Sequence, residues 1–177
     1  LRHHMQYLAS CIANTQNKQA LEYINSVCKE IEAQKVVDYC QNETANLILT
    51  AYAQRFEKSG ISCEIKFVLG RDIRISSVDM CIILANALEN ALNECKFLMT
   101  QNISTEISVN GYEKDNRIFI QISNTCRQNV LFNDGMPVTK AEGHGVGTKS
   151  ICSVVNKYNG MCSFNTKGDM FILRVVI

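Results

Sequence analysis

The chain has 177 residues with 18 basic and 17 acidic side chains, which gives a formal net charge of +1 at pH 7. This balance leaves no basic excess for nucleic-acid binding, and the unbroken apolar runs are too short to span a bilayer. The length allows one sizeable core, or a small helical module followed by a domain.

The first 40 residues predict a helical hairpin. Two apolar seams with heptad-like spacing follow one another, separated by polar residues 14–17: Leu1, Met5, Leu8 and Ile12, then Leu21, Ile24, Cys28 and Ile31. Neither helix can bury its seam alone, so we expect two copies of the chain to form a four-helix bundle, making the protein a homodimer. The pattern changes near residues 36–40, which places the domain boundary between 1–40 and 41–177.

Residues 41–177 combine helical and strand patterns. Helices are expected from Asn42 to Ser59, from Ser76 or Ser77 to about Phe97, and from Val146 to Tyr158. Strands are expected at residues 61–69, 105–111, 117–123, 161–166 and 170–177. Residues 125–142 are polar, contain Pro137, and are predicted to form a long loop that acts as a lid. These elements indicate an α+β protein whose second domain is a two-layer α/β sandwich with a mixed sheet.

The nine cysteines show no CxxC spacing, and most lie among apolar residues. We expect buried, reduced thiols that pack as small hydrophobic side chains, and no zinc site.

Three amides form one stripe on the otherwise apolar helix that begins near Ser77. Asn86, Asn90 and Asn93 lie at i, i+4 and i+7 and therefore face the same way. They could simply be the solvated face of an amphipathic helix, although lysine and glutamate are better helix formers for such a face. Amide oxygens are also neutral ligands for a hard cation such as Mg²⁺.

Three glycines, Gly143, Gly145 and Gly147, lead into the last helix. A helix start preceded by glycines favours phosphate, because free N–H groups and the helix dipole both point at the anion. The spacing matches neither a dinucleotide fingerprint nor a P-loop, and a flexible lid end is the alternative interpretation. Together with the amide stripe, the glycines predict a Mg-nucleotide pocket of another type.

Two histidines lie near the start of the chain. On a helical wheel His3 lies roughly opposite the seam of Leu1 and Met5, whereas His4 lies nearer its edge. His3 is therefore expected to be exposed enough to meet a phosphoryl donor. The alternative is that both histidines are ordinary surface residues with no role in the chemistry.

The motifs, in this order, resemble those of sensor histidine kinases of the GHKL ATPase superfamily. Residues 86–91 (NALENA) are similar to the N box, residues 143–149 (GHGVGTK) to the second glycine box, and residues 1–5 (LRHHM) to the phosphoacceptor box. The branch that the chain resembles is the Gram-positive peptide-pheromone receptor kinases of the accessory-gene-regulator type, which act in quorum sensing. The resemblance implies a dimerisation and phosphotransfer hairpin over 1–40 and a GHKL (Bergerat) ATP-binding domain over 41–177.

The resemblance also implies a role for each site residue. His3 would be the phosphoacceptor, and His4 replaces the acidic residue that normally activates it. Asn90 would hold Mg²⁺ and Asn86 would lie over the triphosphate. Asn124 replaces the aspartate that reads the adenine amino group, so we expect weaker nucleotide binding. The other implied ATP-binding residues are Asn93, Lys140, Gly143, Gly145 and Gly147.

The implied function is Mg-ATP binding, autophosphorylation of His3 and transfer of the phosphoryl group to an aspartate of a response regulator protein. The chain begins at Leu1 rather than Met, so we expect it to be a fragment. The resemblance implies that it is the cytoplasmic end of a receptor that an upstream region anchors in the cell membrane. His4 and Asn124 keep an alternative open, a catalytically weak GHKL scaffold or phosphorelay phosphotransferase. A GHKL ATPase that is not a kinase is disfavoured, because Asn86 stands where such enzymes place a glutamate base.

Overall fold

The computed structural model describes residues 38–127, 130–138 and 146–177, all within a compact unit that spans Val37–Ile177. The predicted hairpin with His3 and His4, and the loop residues Lys140, Gly143 and Gly145, lie outside the described residues. Within the described ranges, no helix has the length and apolar character that crossing a membrane requires.

Three helices are present in this part of the chain: α1 at Glu43–Lys58, α2 at Ser77–Met99 and α3 at Val146–Lys157. The first two begin at capping side chains. Asn42 Oδ1 accepts the backbone N–H of Ala45 at 3.0 Å, and Ser76 Oγ accepts that of Asp79 at 3.1 Å. Each cap satisfies one of the free N–H groups at a helix start, and the predicted N-terminal ends of both helices are confirmed.

A five-stranded mixed sheet lies against the helices. Its strands are β1 (Ser62–Val68), β2 (Glu106–Lys114), β3 (Arg117–Thr125), β6 (Met161–Lys167) and β7 (Met170–Val176), and the labels β4 and β5 belong to the separate hairpin described below. The strands run in the order β1-β2-β3-β7-β6, and only β1 and β2 are parallel among these pairs. The predicted mixed α/β fold is therefore confirmed.

The predicted long loop at residues 125–142 is wrong in part. Thr125 belongs to β3, and two short strands, β4 (Leu131–Asn133) and β5 (Met136–Val138), pair as a separate hairpin. Asp134 and Gly135 form its turn with φ angles of 48° and 74°. An Asp-Gly pair favours this left-handed turn between antiparallel strands, so the hairpin had a local sequence signal.

The hydrophobic core lies between the helices and one face of the sheet. Alternate residues of β2 and β3 point into it, and α2 contributes leucines along its length. At Gly111 on β2, the ring of Phe67 on β1 occupies the space that a Cβ atom would need. Only glycine fits there, because the aromatic ring packs directly on the backbone.

Two of the seven cysteines that the structure describes are buried as expected, and five are not. Cys95 and Cys126 are buried, Cys81 is exposed, and the other four are half-buried. All seven are free thiols, and burial raises the pKa of Cys95 to about 12. That thiol therefore remains protonated at neutral pH and packs as a small apolar group.

Candidate nucleotide site

The start of α3 lies against the amide stripe of α2. A Cβ atom placed on Gly147 would lie 3.0 Å from Asn86 Oδ1 and 3.5 Å from Asn90 Nδ2. The structure therefore brings these three site residues together, although the two segments are more than 50 residues apart in the sequence. The missing side chain at position 147 lets the first turn of α3 approach both amides.

A second contact fixes the orientation of the Asn86 amide. Its Nδ2 donates to the backbone oxygen of Ile82, one turn earlier on α2, at 2.7 Å. The nitrogen is therefore used within the helix, and Oδ1 faces Gly147. Since the amide is anchored to the backbone, it cannot turn away without losing a hydrogen bond.

The acidic residue between the two amides faces another helix. Glu89 Oε2 accepts from Arg55 Nη1 at 2.6 Å and from the hydroxyl of Tyr52 at 2.8 Å, and both partners lie on α1. The hydrogen bonds from Arg55 are the main cause that lowers the pKa of Glu89. Burial, reinforced by Glu89, raises the pKa of Tyr52 to about 12. The carboxylate is thus engaged with α1, and the part of α2 that lies beside Gly147 presents the neutral amides of Asn86 and Asn90.

Asn90 and Asn124 line one cavity between α2, β3 and α3. The other lining residues are mostly apolar: Ala87, Ile122, Thr148, Ile151, Phe164, Phe171 and Leu173. An apolar cavity with a few polar groups is typical of ligand sites. Its volume of about 20 Å³ corresponds to roughly one water molecule, so a purine base can enter only if the walls move apart.

Asn124 is buried at the inner face of β3, with 5% of its surface exposed. Its Nδ2 donates to the backbone oxygen of Thr125 at 2.8 Å, which fixes the plane of the amide. Oδ1 can then accept a hydrogen bond from a ligand on the cavity side. An acceptor at this position suits an exocyclic amino group such as that of adenine.

Asn93 is separate from this group. It is exposed and does not belong to the residues that line the cavity. Its neighbour Glu94 binds Arg127 through Nε at 2.9 Å and Nη2 at 2.6 Å, and this pair ties α2 to the segment after β3. The predicted stripe therefore divides into two amides near α3 and one amide in solvent.

A buried carboxylate fixes the opposite end of α3. Asp79 Oδ2, at the start of α2, accepts from Lys157 Nζ at 2.6 Å, from the hydroxyl of Tyr158 at 2.6 Å and from Ser76 Oγ at 2.7 Å. These hydrogen bonds, that from Lys157 first, lower the pKa of Asp79 to about 2. The two helices are therefore clamped antiparallel, and the clamp helps to hold Gly147 against the amides.

Sequence reasoning missed two kinds of site residue. Thr148 and the aromatic walls Phe164 and Phe171 line the cavity, and the clamp residue Lys157 lies 78 positions from Asp79. Phe164 and Phe171 lie within predicted strands, and nothing in the sequence connects them with a ligand. A pair as distant as Lys157 and Asp79 leaves no local pattern.

Asn90 has the chemistry that a Mg²⁺ ion bound to phosphates requires. Its side chain is exposed and lies beside the first turn of α3, so a neutral amide oxygen is available next to the start of a helix. Mg²⁺ at nucleotide sites is usually held by one or two protein oxygens together with phosphates and water. The residues present therefore fit such an ion.

Solved structures of histidine kinases share this fold. The nucleotide-free catalytic domain of histidine kinase ThkA is 10% identical, with a TM-score of 0.59 over 76% of this chain and 90% of that domain. Acinetobacter baumannii histidine kinase AdeS is 10% identical, with a TM-score of 0.55 over 100% of this chain and 95% of its own. Full-length ShkA in complex with AMPPNP is 13% identical, with a TM-score of 0.54 over 75% of this chain and 28% of its own. At these identities the similarity shows the fold alone.

The sequence itself also matches a protein family. The profile of the GHKL domain matches residues 75–177, more than half of the chain. The matched range contains α2, the whole sheet except β1, and α3, and therefore every residue that lines the cavity. No curated protein matches the chain. From the family match and the shared fold we conclude that the chain belongs to the GHKL domain family.

Proposed function

We propose that the chain is the catalytic and phosphotransfer region of a sensor histidine kinase. The observation that carries the proposal is the convergence of Asn86, Asn90 and the first turn of α3 beside the cavity that contains Asn124. The fold shared with histidine kinase catalytic domains, one of them in complex with AMPPNP, supports the same conclusion. ATP is therefore the proposed ligand.

In the proposed complex the adenine amino group donates to Asn124 Oδ1, and the triphosphate extends past Asn86 to the first turn of α3. The start of α3 binds the phosphate oxygens, because the dipole and the backbone N–H groups at a helix start both favour an anion. Mg²⁺ held by Asn90 would neutralise part of the phosphate charge. The protein contributes chiefly position and charge stabilisation, as is general for phosphoryl transfer.

The proposed reaction moves the γ-phosphoryl group to His3. A ring nitrogen of His3 forms a bond to the γ-phosphorus while the bond to the bridging oxygen of the β-phosphate breaks, and ADP leaves. An aspartate of a response regulator then accepts the phosphoryl group. Dimerisation through residues 1–40, membership of the peptide-pheromone receptor branch and attachment to a membrane through an upstream region belong to this proposal.

The decisive experiment is labelling with radioactive γ-phosphate of ATP in the presence of Mg²⁺. Phosphohistidine loses its phosphoryl group in acid and retains it in base. A label that is removed by acid and resists base therefore identifies phosphohistidine as the product. The variant His3→Gln should carry no label, and His4→Gln, the adjacent control, should retain it. Label that persists in His3→Gln would show that another residue is the acceptor.

A dimeric scaffold or phosphorelay phosphotransferase is the second candidate. The uncharged Asn124 in the cavity and His4 beside the proposed acceptor favour it. This candidate predicts that the chain binds Mg-ATP, or accepts phosphate from a phosphorylated regulator, without labelling itself. The variant Asn90→Ala tests the shared part of both candidates, since it should abolish Mg-ATP binding and leave the melting temperature nearly unchanged.

A further inference from the structure

An apolar row crosses all five strands on the face of the sheet that points away from the helices. The strand register aligns its members side by side, in the order Val68, Tyr112, Phe119, Val176 and Met161. Val68 is 73% exposed, Met161 66% and Tyr112 49%, and the rings of Tyr112 and Phe119 stack with centroids 5.0 Å apart. Phe119 and Val176 between them are half-buried. A continuous apolar row with large side chains exposed on three of its strands is typical of an interaction surface.

A cavity at the end of the sheet, between the β2–β3 turn and the segment before β6, adjoins two members of this row. It has a volume of about 460 Å³, and Val176 and Met161 belong to both the row and the cavity wall. Arg74 and Arg117 also line it, together with Glu113 as the acidic residue on its wall. A concave space of this size next to a flat apolar row suits a bulky side chain of a partner.

Basic residues border the apolar row on both sides. The neighbouring positions on the same face include Lys66 and Arg174 on one side, and the paired Lys114 and Arg117 on the other. Lys66 is partly neutralised by Glu64, whose carboxylate lies 2.7 Å from its Nζ. The remaining charges on these two borders are positive, so they favour a partner with acidic flanks.

We propose that this face binds an acidic amphipathic helix of a partner protein. Five strands span four gaps of about 4.8 Å, so the row is about 19 Å long. A helix of about 13 residues has that length, and apolar residues at i, i+4, i+7 and i+11 would follow the row. One bulky residue would enter the cavity, and acidic residues on the flanks would meet the two basic borders. The concave cavity favours a helix over a flat anionic membrane surface.

This inference goes beyond the proposed kinase function and does not depend on it. The row and the nucleotide site lie on opposite faces of the sheet, since Asn124 belongs to the inner face and Phe119 to the outer one. Binding at the row should therefore occur with or without ATP. Failure of peptide binding at the row would leave the proposed kinase function untouched, and failure of ATP labelling would leave the proposed docking surface untouched.

The test uses a fluorescein-labelled helical peptide of about 14 residues, with leucines at the four spacings above and glutamates on both flanks. The full chain should bind it saturably, measured by fluorescence polarisation. Val68→Asp and Met161→Asp should each weaken binding at least about tenfold, or about 1.4 kcal/mol. Leu47→Asp on α1, where the original side chain is 70% exposed, is the matched control and should have no effect.

Charge gives the second arm of the test. A peptide with lysines in place of the glutamates should bind at least about tenfold more weakly, and Arg117→Glu should reduce the difference between the two peptides. Equal binding of the two peptides, unchanged binding by Val68→Asp, or no saturable binding up to about 1 mM would overturn the proposal. Two further outcomes would also overturn it. If Val68→Asp abolished only binding to phosphatidylglycerol vesicles, the surface would belong to a membrane. If it abolished only self-association, the surface would belong to a second copy.

Discussion

Replacing Gly147 with alanine should weaken Mg-ATP binding without unfolding the domain. The new Cβ would lie 3.0 Å from Asn86 Oδ1 and 3.5 Å from Asn90 Nδ2, so the nearer amide must move by a few tenths of an ångström. Asn86 cannot move freely, because its Nδ2 is bonded to the Ile82 oxygen at 2.7 Å. The change therefore disturbs the amides and adds a methyl group where the phosphates are proposed to approach.

The expected magnitude follows from two opposing effects. Alanine stabilises a helix by about 1 kcal/mol relative to glycine. This gain offsets the tight contact between the new Cβ and Asn86, so the free energy of unfolding should stay close to that of the wild type. In the complex, the loss of one hydrogen bond to a charged phosphate costs about 1.5–3 kcal/mol. The dissociation constant of Mg-ATP should therefore rise about 10- to 150-fold.

Isothermal titration calorimetry at a fixed Mg²⁺ concentration measures this change, with a thermal melt as the check on folding. Gly70→Ala is the matched control, because its Cβ would lie 3.8 Å from Glu113 Oε2, an ordinary contact away from the site. A wild-type dissociation constant in a folded Gly147→Ala protein would refute the assignment of the first turn of α3 to the phosphates.

Three further predictions concern the stability of the fold. The pKa of Asp79 falls from 3.8 to about 2 on folding, so its stabilising effect is complete above about pH 4 and is lost between pH 4 and pH 2. Asp79→Asn should therefore lower the melting temperature at pH 7 and flatten its decline below pH 4, as measured by circular dichroism. Gly111→Ala should lower the free energy of unfolding by about 1–3 kcal/mol, because the new methyl group overlaps the ring of Phe67. Urea titrations measure this change, and the double variant with Phe67→Leu should recover part of the loss. Asn124→Asp replaces the amide donor with a carboxylate acceptor 2.8 Å from the backbone oxygen of Thr125. It should lower the free energy of unfolding by about 1–3 kcal/mol. Mg-ATP should stabilise that variant more than the wild type, because the adenine amino group supplies a donor to the new carboxylate.

Much of the fold could be predicted because its elements have strong local signals. The isoleucines at 118, 120 and 122 recur at every second position, and Asn42 and Ser76 cap the helices as expected. The short β4–β5 hairpin was missed because its strands have three residues each and alternate too briefly to show a period. Its Asp-Gly turn was the available signal.

The candidate site was predictable only where its residues cluster in the sequence. Asn86 and Asn90 lie one helical turn apart, and Gly147 lies in the first turn of a helix, so residue type and spacing indicated a common ligand. The clamp of Asp79 by Lys157 depends on the antiparallel packing of two helices that β2, β3 and the β4–β5 hairpin separate in the sequence. Such packing follows from the tertiary fold, and neither residue differs in sequence from an ordinary surface charge.

The position of β7 inside the sheet constrains the order in which the domain can fold. β7 pairs with β3 on one side and with β6 on the other, although it follows every other strand in the sequence. Until residues 170–176 leave the ribosome, β3 has β2 as its partner and presents an open edge of backbone donors and acceptors. Phe171 and Leu173, two walls of the cavity, arrive with the same strand. During synthesis, completion of the sheet and completion of the ligand cavity are therefore a single late event, and a chain that stops before β7 lacks both.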